Sequence, residues 1–264
     1  MKMPQSHLKQ PLTIAQVSDS HLFAQSGQLH CGVDVLANLK AVLNSLAKDD
    51  SIDYVVFTGD LTQDHTEASY QQFANAFTQA NIQAPSYFLA GNHDEHALLN
   101  KHLVGSPFNQ EKTITHRNWQ VQLVNSKGET PSGYFAREEA IRLAGAINET
   151  CHQLVMMHHH PVDVGYFIDR HGLENKKAFW QVMAQHQNIR AISCGHVHRA
   201  HYFAVNEASK PSYQSVDVYT CPATSIQFDP NVDGVSALAL GPAYRVFTLF
   251  DNGQITSEVV RLSC

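Results

Sequence analysis

SYFLAGNHDEH, residues 86–96, is an apolar run that ends abruptly in an amide, two imidazoles and two acids. The run reads as a strand over 86–91, with Asn92 and His93 delivered at its carboxyl end. The same construction recurs on both sides. Upstream, LTIAQVSDSH (12–21) ends in Asp19 and His21, and YVVFTGDLTQDH (54–65) presents Asp60. Downstream, LVMMHHHP (154–161) runs into three histidines, and IRAISCGHVH (189–198) ends in His196 and His198. Helical patterns lie between these strands at 32–48, 66–80, 95–103, 137–149 and 175–186, and the C-terminal part turns strand-rich at 201–205, 216–221, 244–250 and 255–262. DNG at 251–253 reads as the hairpin turn between the last two. Alternating β and α followed by a β-rich end predicts an α/β (α+β) fold of two packed sheets with helices outside. With no repeat, low-complexity tract or linker, 1–264 reads as a single domain.

In open α/β sheets ligands bind in the crevice beyond the carboxyl ends of the strands. Here those ends carry carboxylates, imidazoles and one amide, a donor mixture that suits Zn, Fe, Mn or Co better than calcium. On extended chain, residues i and i+2 point to one side, so Asp19 with His21, and His196 with His198, are each expected to face one site as a pair. Asp19, His21, Asp60, Asn92, one histidine of the HHHP run, His196 and His198 are too many ligands for one ion. They suit two ions, with Asp60 shared. Within the run itself, an extended chain sends His158 and His159 to opposite faces, and Pro161 favours extended backbone at His160. That geometry leaves two possibilities, His159 or His158 with His160. Each short motif alone recurs by chance; the ordered set at successive strand ends carries the inference.

Composition narrows the function classes. The chain has 264 residues, 43% of them hydrophobic and 16% charged, the profile of an ordinary globular protein. A net charge of −6 argues against a broad nucleic-acid-binding face. Five scattered cysteines without a CxxC pair argue against a disulfide framework or a thiolate zinc site. The N-terminal stretch lacks the apolar core of a signal peptide, and no apolar run reaches the length of a membrane span, so a cytoplasmic protein without a membrane partner is expected. Seventeen histidines are the compositional excess, in keeping with a metal site.

The blocks DSH (19–21), GD (59–60), GNHD (91–94), HHP (159–161) and GHVH (195–198) resemble the ordered pattern of the calcineurin-like metallophosphoesterases. The wording between them, in GVDVLANLKAVL, GDLTQDHTEASYQQF, HHHPVDVGYFIDRHGLEN and CPATSIQFDP, resembles the bacterial class III 3′,5′-cyclic AMP phosphodiesterases. The resemblance implies a four-layer αββα sandwich and a dinuclear centre of iron, manganese, zinc or cobalt. Asp19, His21, Asp60 and His198 would hold the first ion; Asp60, Asn92, His159 and His196 would hold the second. The H-x-P pattern selects His159, which leaves His158 facing the sheet interior or a neighbouring loop and His160 beside the site. A hydroxide between the ions would then attack phosphorus, opening cyclic AMP to 5′-AMP. His93 would protonate the leaving oxygen or hold phosphate charge, with Asp94 and Asp64 as acids that orient it.

Asn92, His93, His171 and His198 are expected to touch substrate. The resemblance favours 164–175 as a lid, with Phe167, His171 and Asn175 near the nucleotide and Ser225, Gln227 and Phe228 on the opposite wall. SGYFAREEAIRLAGAI (132–147) departs from a helix signature found in many relatives, which bears on packing more than on chemistry. His65 follows Asp64 in the active-site turn and stands apart from the remaining histidines, His30 among them, which have no motif and read as surface or packing residues. A glycerophosphodiesterase or broad phosphodiesterase is the alternative within the same chemistry. A non-catalytic scaffold fits less well because no ligand is missing, and a nuclease because no basic or aromatic strand-tracking stretch is present. The expected partner is a small phosphodiester, with the protein a monomer or homodimer.

Overall fold

The computed structural model describes residues 10–205 and 216–263. One sheet runs in the order β16 (Ile255–Arg261), β15 (Ala243–Leu249), β1 (Leu12–Val17), β4 (Tyr54–Phe57), β5 (Ser86–Phe88), β6 (Phe108–Asn109). The other runs β11 (Tyr202–Val205), β12 (Val216–Thr220), β10 (Ile189–Cys194), β9 (His152–Met157), β8 (Trp119–Val124), β7 (Thr113–His116). Four neighbouring strands of each sheet are parallel, β1-β4-β5-β6 and β8-β9-β10-β12, and the flanking strands pair antiparallel. Two short hairpins stand outside the sheets, β2 (Leu29–His30) with β3 (Val33–Asp34), and β13 (Gln227–Phe228) with β14 (Ala237–Leu238).

The central strands read as unbroken apolar runs because both of their faces are covered. In β1, Leu12 and Ile14 pack into the layer between the sheets, whereas Ala15 and Val17 face α1 (Val35–Leu46), α2 (Glu67–Ala80) and α3 (His96–His102). In β9, Leu154 and Met156 point into the same inter-sheet layer. Val155 and Met157 face α4 (Arg137–Ala146) and α5 (Lys176–Met183). Period-two alternation on both sheets therefore gives helix, sheet, sheet, helix, the four-layer αββα sandwich implied by the resemblance. Polar bridges also cross the inter-sheet layer: Ser193 on β10 donates to Gln16 on β1, whose amide donates to Thr58.

The expected strand at 86–91 is shorter than its apolar content suggested, ending at Phe88. Leu89 still donates to Phe57, but the chain then bends so that Gly91 packs against Asp60. The hairpin at 29–34 and that of β13 and β14 have strands of only two residues, too short for any periodic pattern to announce. Among the described residues no helix is long and apolar enough to cross a membrane.

Candidate metal centre

β1, β4, β5, β9 and β10 release their chains at neighbouring positions, and the backbone there is unusual. Asp19, His21, Asp60, His196 and His198 all have positive φ, between 47° and 65°. Left-handed backbone is uncommon outside glycine and collects at functional sites. The expected mechanism for pairing Asp19 with His21, and His196 with His198, is thus corrected: the pairs converge through left-handed turns, not along extended chain.

Two glycines make this convergence possible. Gly59 has φ +98°, and a Cβ there would lie 2.4 Å from the backbone nitrogen of Gly91 and 2.8 Å from His158 Nδ1. A Cβ on Gly195 would lie 2.1 Å from Ser18 Oγ and 3.1 Å from Asp19 Oδ2. The Asp19 carboxylate instead accepts two 3.1 Å contacts from the His196 backbone N–H.

The ligand candidates form two groups joined by Asp60. On one side His21 Nε2 and His198 Nε2 are 3.1 Å apart, and His198 Nε2 is 3.5 Å from Asp19 Oδ1. On the other, His158 Nε2 lies 3.1 Å from both Asn92 Oδ1 and His196 Nδ1. Asp60 Oδ2 is 3.6 Å from His21 Nε2 and 3.4 Å from His158 Nε2. Its Oδ1 accepts from the His93 backbone N–H at 2.9 Å.

Carbonyl oxygens fix two tautomers. His158 Nδ1–H donates to Thr58 O at 2.8 Å, and His198 Nδ1–H to Ile226 O at 2.9 Å. Each Nε2 therefore faces the carboxylates, the usual outer support of a metal-bound imidazole. Burial opposes charge on His158, but Asp60 raises its pKa to about 9, so a cation there would take the place of the Nε2 proton.

The HHHP run divides three ways. His159, the expected ligand, lies close to His158 and His196 but commits both ring nitrogens elsewhere. Its Nδ1 meets Ser126 Oγ at 2.9 Å and its Nε2 donates to Pro131 O at 3.2 Å. His158 takes the position facing Asp60 and Asn92, while His159 stands beside it in the same candidate group as His196. The cause is the register of β9, which carries His158 onto the Asp60 side one residue earlier than the proline spacing implies. His160 Nε2 donates to Asp169 Oδ1 at 3.1 Å, tying the run to the 3₁₀ turn Phe167–His171.

Electrostatics agree with a cation-binding centre. Burial opposes ionisation of Asp60, but His158, His93 and His21 hold its carboxyl well below the usual range. Burial, with neighbouring imidazoles, pushes His21, His159 and His196 well below ordinary histidine. His21 Nδ1, His93 Nδ1 and His196 Nε2 are buried with no hydrogen-bond partner among the described residues. Facing lone pairs, shared carboxylates and orphaned imidazole nitrogens fit transition-metal cations.

The other expected roles divide. Asp94 does not reach the His93 ring. It is fully buried, accepting from Leu61 N at 2.8 Å and Gly91 N at 2.9 Å, so it clamps the two ligand loops together. Burial and Asp60 raise its pKa to about 6. Asp64 is likewise turned away, bonding Ala24 N and Thr66 at the start of α2. His65 orients His93 instead, stacking on it at 5.3 Å with 2° between planes and bonding its carbonyl at 2.9 Å.

A cleft of about 260 Å³ opens over the centre, lined by Asn92, His93, Phe167, His171, His198 and Phe228, with His30 and Val235 at its edge. Asn175 lies elsewhere, bonded to Phe135 through both side-chain polar groups. Ser225 and Gln227 are buried behind the wall, on Asp19 O and Ala223 O. His30 is a lining residue that the sequence does not announce, as are Gln63, Pro131, Ile168 and Val235; the hairpin presenting His30 leaves no motif.

Residues 12–200 match the family model of the calcineurin-like phosphoesterases. A probable cyclic nucleotide phosphodiesterase of Colwellia psychrerythraea is 55% identical over 259 residues, 98% of each chain. The 3′,5′-cyclic adenosine monophosphate phosphodiesterase CpdA of Vibrio vulnificus is 30% identical, covering 96% of this chain and 90% of that one. Among solved structures, a dimetal phosphatase from Danio rerio superposes with a TM-score of 0.66 at 10% identity, over 96% of this chain and 100% of that one, a likeness of fold alone.

Proposed function

The chain belongs to the calcineurin-like phosphoesterases, a family of phosphoester hydrolases, and from that premise we propose that it hydrolyses 3′,5′-cyclic AMP to 5′-AMP at a dinuclear metal centre. The observation that carries the reading is Asp60, whose carboxylate stands between His21 and His158 and so joins two ligand groups under one cleft. The substrate class follows from similarity to relatives named as cyclic nucleotide phosphodiesterases.

Asp19, His21, Asp60 and His198 would hold one ion; Asp60, Asn92, His158 and His196 would hold the other, with iron or manganese expected and zinc or cobalt alternatives. When bound, such ions supply Lewis acidity to the phosphoryl oxygens and an activated water as nucleophile. The remaining work falls to the chain. Thr58 O and Ile226 O keep His158 and His198 in the tautomer that leaves Nε2 free. Lys127 Nζ donates to Asn92 O at 3.0 Å and fixes the loop bearing the amide ligand. His93, held by the His65 stack, stands at the cleft to donate a proton to the ribose oxygen as the P–O bond breaks. The proton compensates the charge left on that oxygen, and the product keeps its 5′-phosphate.

Steady-state rates with cyclic AMP, glycerophosphodiesters and bis(p-nitrophenyl) phosphate test the reading. Cyclic AMP is expected to show the highest kcat/KM; a value far below the other diesters would overturn it. Full diesterase activity in Asp60→Ala would overturn the shared-ligand centre.

A further inference from the structure

We propose that His30 is a specificity-determining residue of this cleft, hydrogen-bonding the nucleoside part of the phosphodiester through the edge of its imidazole; the inference rests on the phosphodiesterase reading above.

His30 sits on the short hairpin of β2 and β3, paired with Val33 across a two-residue turn of Cys31 and Gly32. Both turn residues have positive φ, +48° and +80°, the twist that two-residue hairpins demand. Asn, Asp or Gly ordinarily supplies the first of these positions; a cysteine there is a strained choice that the surrounding structure maintains. The hairpin is tied down at its far end, where Asp34 caps α1 by accepting from Ala37 N at 2.9 Å. A rigid, short element therefore holds one imidazole over the ligand loop of Asp19 and His21.

The orientation of that imidazole is specific. Its face lies on His21, with ring centroids 5.5 Å apart and 14° between planes. With one face covered by His21, the edge is the polar part left to a ligand, and His30 lines the cleft. Neither ring nitrogen has a hydrogen bond to the described residues, although the ring is half-buried. A half-buried histidine kept without a protein partner beside a cleft presents one donor and one acceptor to whatever enters.

Another part of the lining is apolar. Phe228 stacks on His198 at 3.9 Å with 6° between planes, and Phe167 lies against Phe228 at 5.1 Å. Beside Asn92 and the imidazoles of the ligand loops, the cleft thus presents a polar ring at His30 and apolar rings at Phe167 and Phe228. A glycerophosphodiester has no flat ring to place against the phenylalanines. A nucleoside offers a flat apolar face to the phenylalanines and polar edges to His30.

The test uses competitive inhibition of bis(p-nitrophenyl) phosphate hydrolysis by 5′-AMP and by inorganic phosphate, on metal-loaded full-length protein. The readout is the ratio of the two inhibition constants, which cancels any change common to the centre. In wild type 5′-AMP is expected to bind tighter than phosphate. His30→Ala and His30→Phe are each expected to shrink that preference about tenfold, and His30→Gln, which keeps a polar end, to recover part of it. Agreement of all three variants with wild type within twofold would overturn the assignment, as would a His30→Phe ratio equal to wild type, since stacking alone would then suffice. A wild type that binds 5′-AMP no tighter than phosphate overturns it too. Should wild type leave cyclic AMP uncleaved while the ratio responds to His30 as described, the substrate reading fails and the role of His30 stands.

Discussion

His158 Nε2 lies 3.1 Å from Asn92 Oδ1, while both ring nitrogens of the adjacent His159 are spent on Ser126 and Pro131. Consecutive residues leaving one strand thus take separate tasks, one toward the metal centre and one into the loop that walls it.

Alanine substitution separates the two. His158→Ala removes a direct donor and is expected to lower affinity for the second ion by more than the roughly 10–100-fold that loss of an outer partner costs. His159→Ala removes loop contacts and is expected to stay within that range. Metal stoichiometry after dialysis, measured alongside diesterase activity, checks both. A larger metal loss in His159→Ala would reverse the assignment.

Gly195 offers a steric test. Its missing Cβ leaves room for Ser18 Oγ at 2.1 Å from where that atom would stand, and Ser18 and Asp19 are both fully buried, held by Thr58 Oγ1 and His196 N. Gly195→Ala must push the Asp19 turn away from His196, and overpacking of this kind costs about 1–3 kcal/mol. The expected result is a lower Tm with reduced metal content. An unchanged Tm would mean that the two turns separate more freely than their packing implies.

Much of this site was legible because its chemistry sits at the ends of long apolar runs. Asp19, His21, Asp60, Asn92, His196 and His198 are brought together at the strand ends where the runs placed them. The spacing to Pro161 did not announce the place of His158 beside Asp60, because a proline marks where a strand must stop, not which face its last side chains take. Asp94 and Asp64 were misread for a similar reason. An acid beside a catalytic motif serves equally well as a loop clamp, and only its partners, Gly91 N and Leu61 N for Asp94, tell the two apart. His30 was invisible because strands of two residues have no period to detect.

His65 carries a prediction about proton transfer. It does not line the cleft and acts through its stack on His93. His65→Ala is expected to lower kcat for cyclic AMP about tenfold, a part of the roughly 10²–10⁴ that general acid catalysis supplies. Bis(p-nitrophenyl) phosphate, whose p-nitrophenolate leaves without a proton, should respond far less. Equal losses on both substrates would assign His65 to folding or metal retention.

Lys112 provides a pH dependence remote from the metal centre. Its ammonium donates to Phe88 O at 2.8 Å and lies 4.8 Å over the Phe88 ring. Burial, with Arg142 nearby, lowers its pKa from 10.5 to about 8. Between those values the unfolded chain binds the proton and the folded chain has released it, so this residue makes stability rise with pH. The slope is at most about 1.4 kcal/mol per pH unit for one group. The contribution is complete above pH 10.5 and is lost as pH falls through about 8. Lys112→Met keeps the stem packed and removes the titration, so the difference between wild-type and variant unfolding free energies should climb across this window and flatten on either side. Denaturant unfolding from pH 7 to 11 measures it, and a flat difference throughout would show that Lys112 stays solvated in the folded protein.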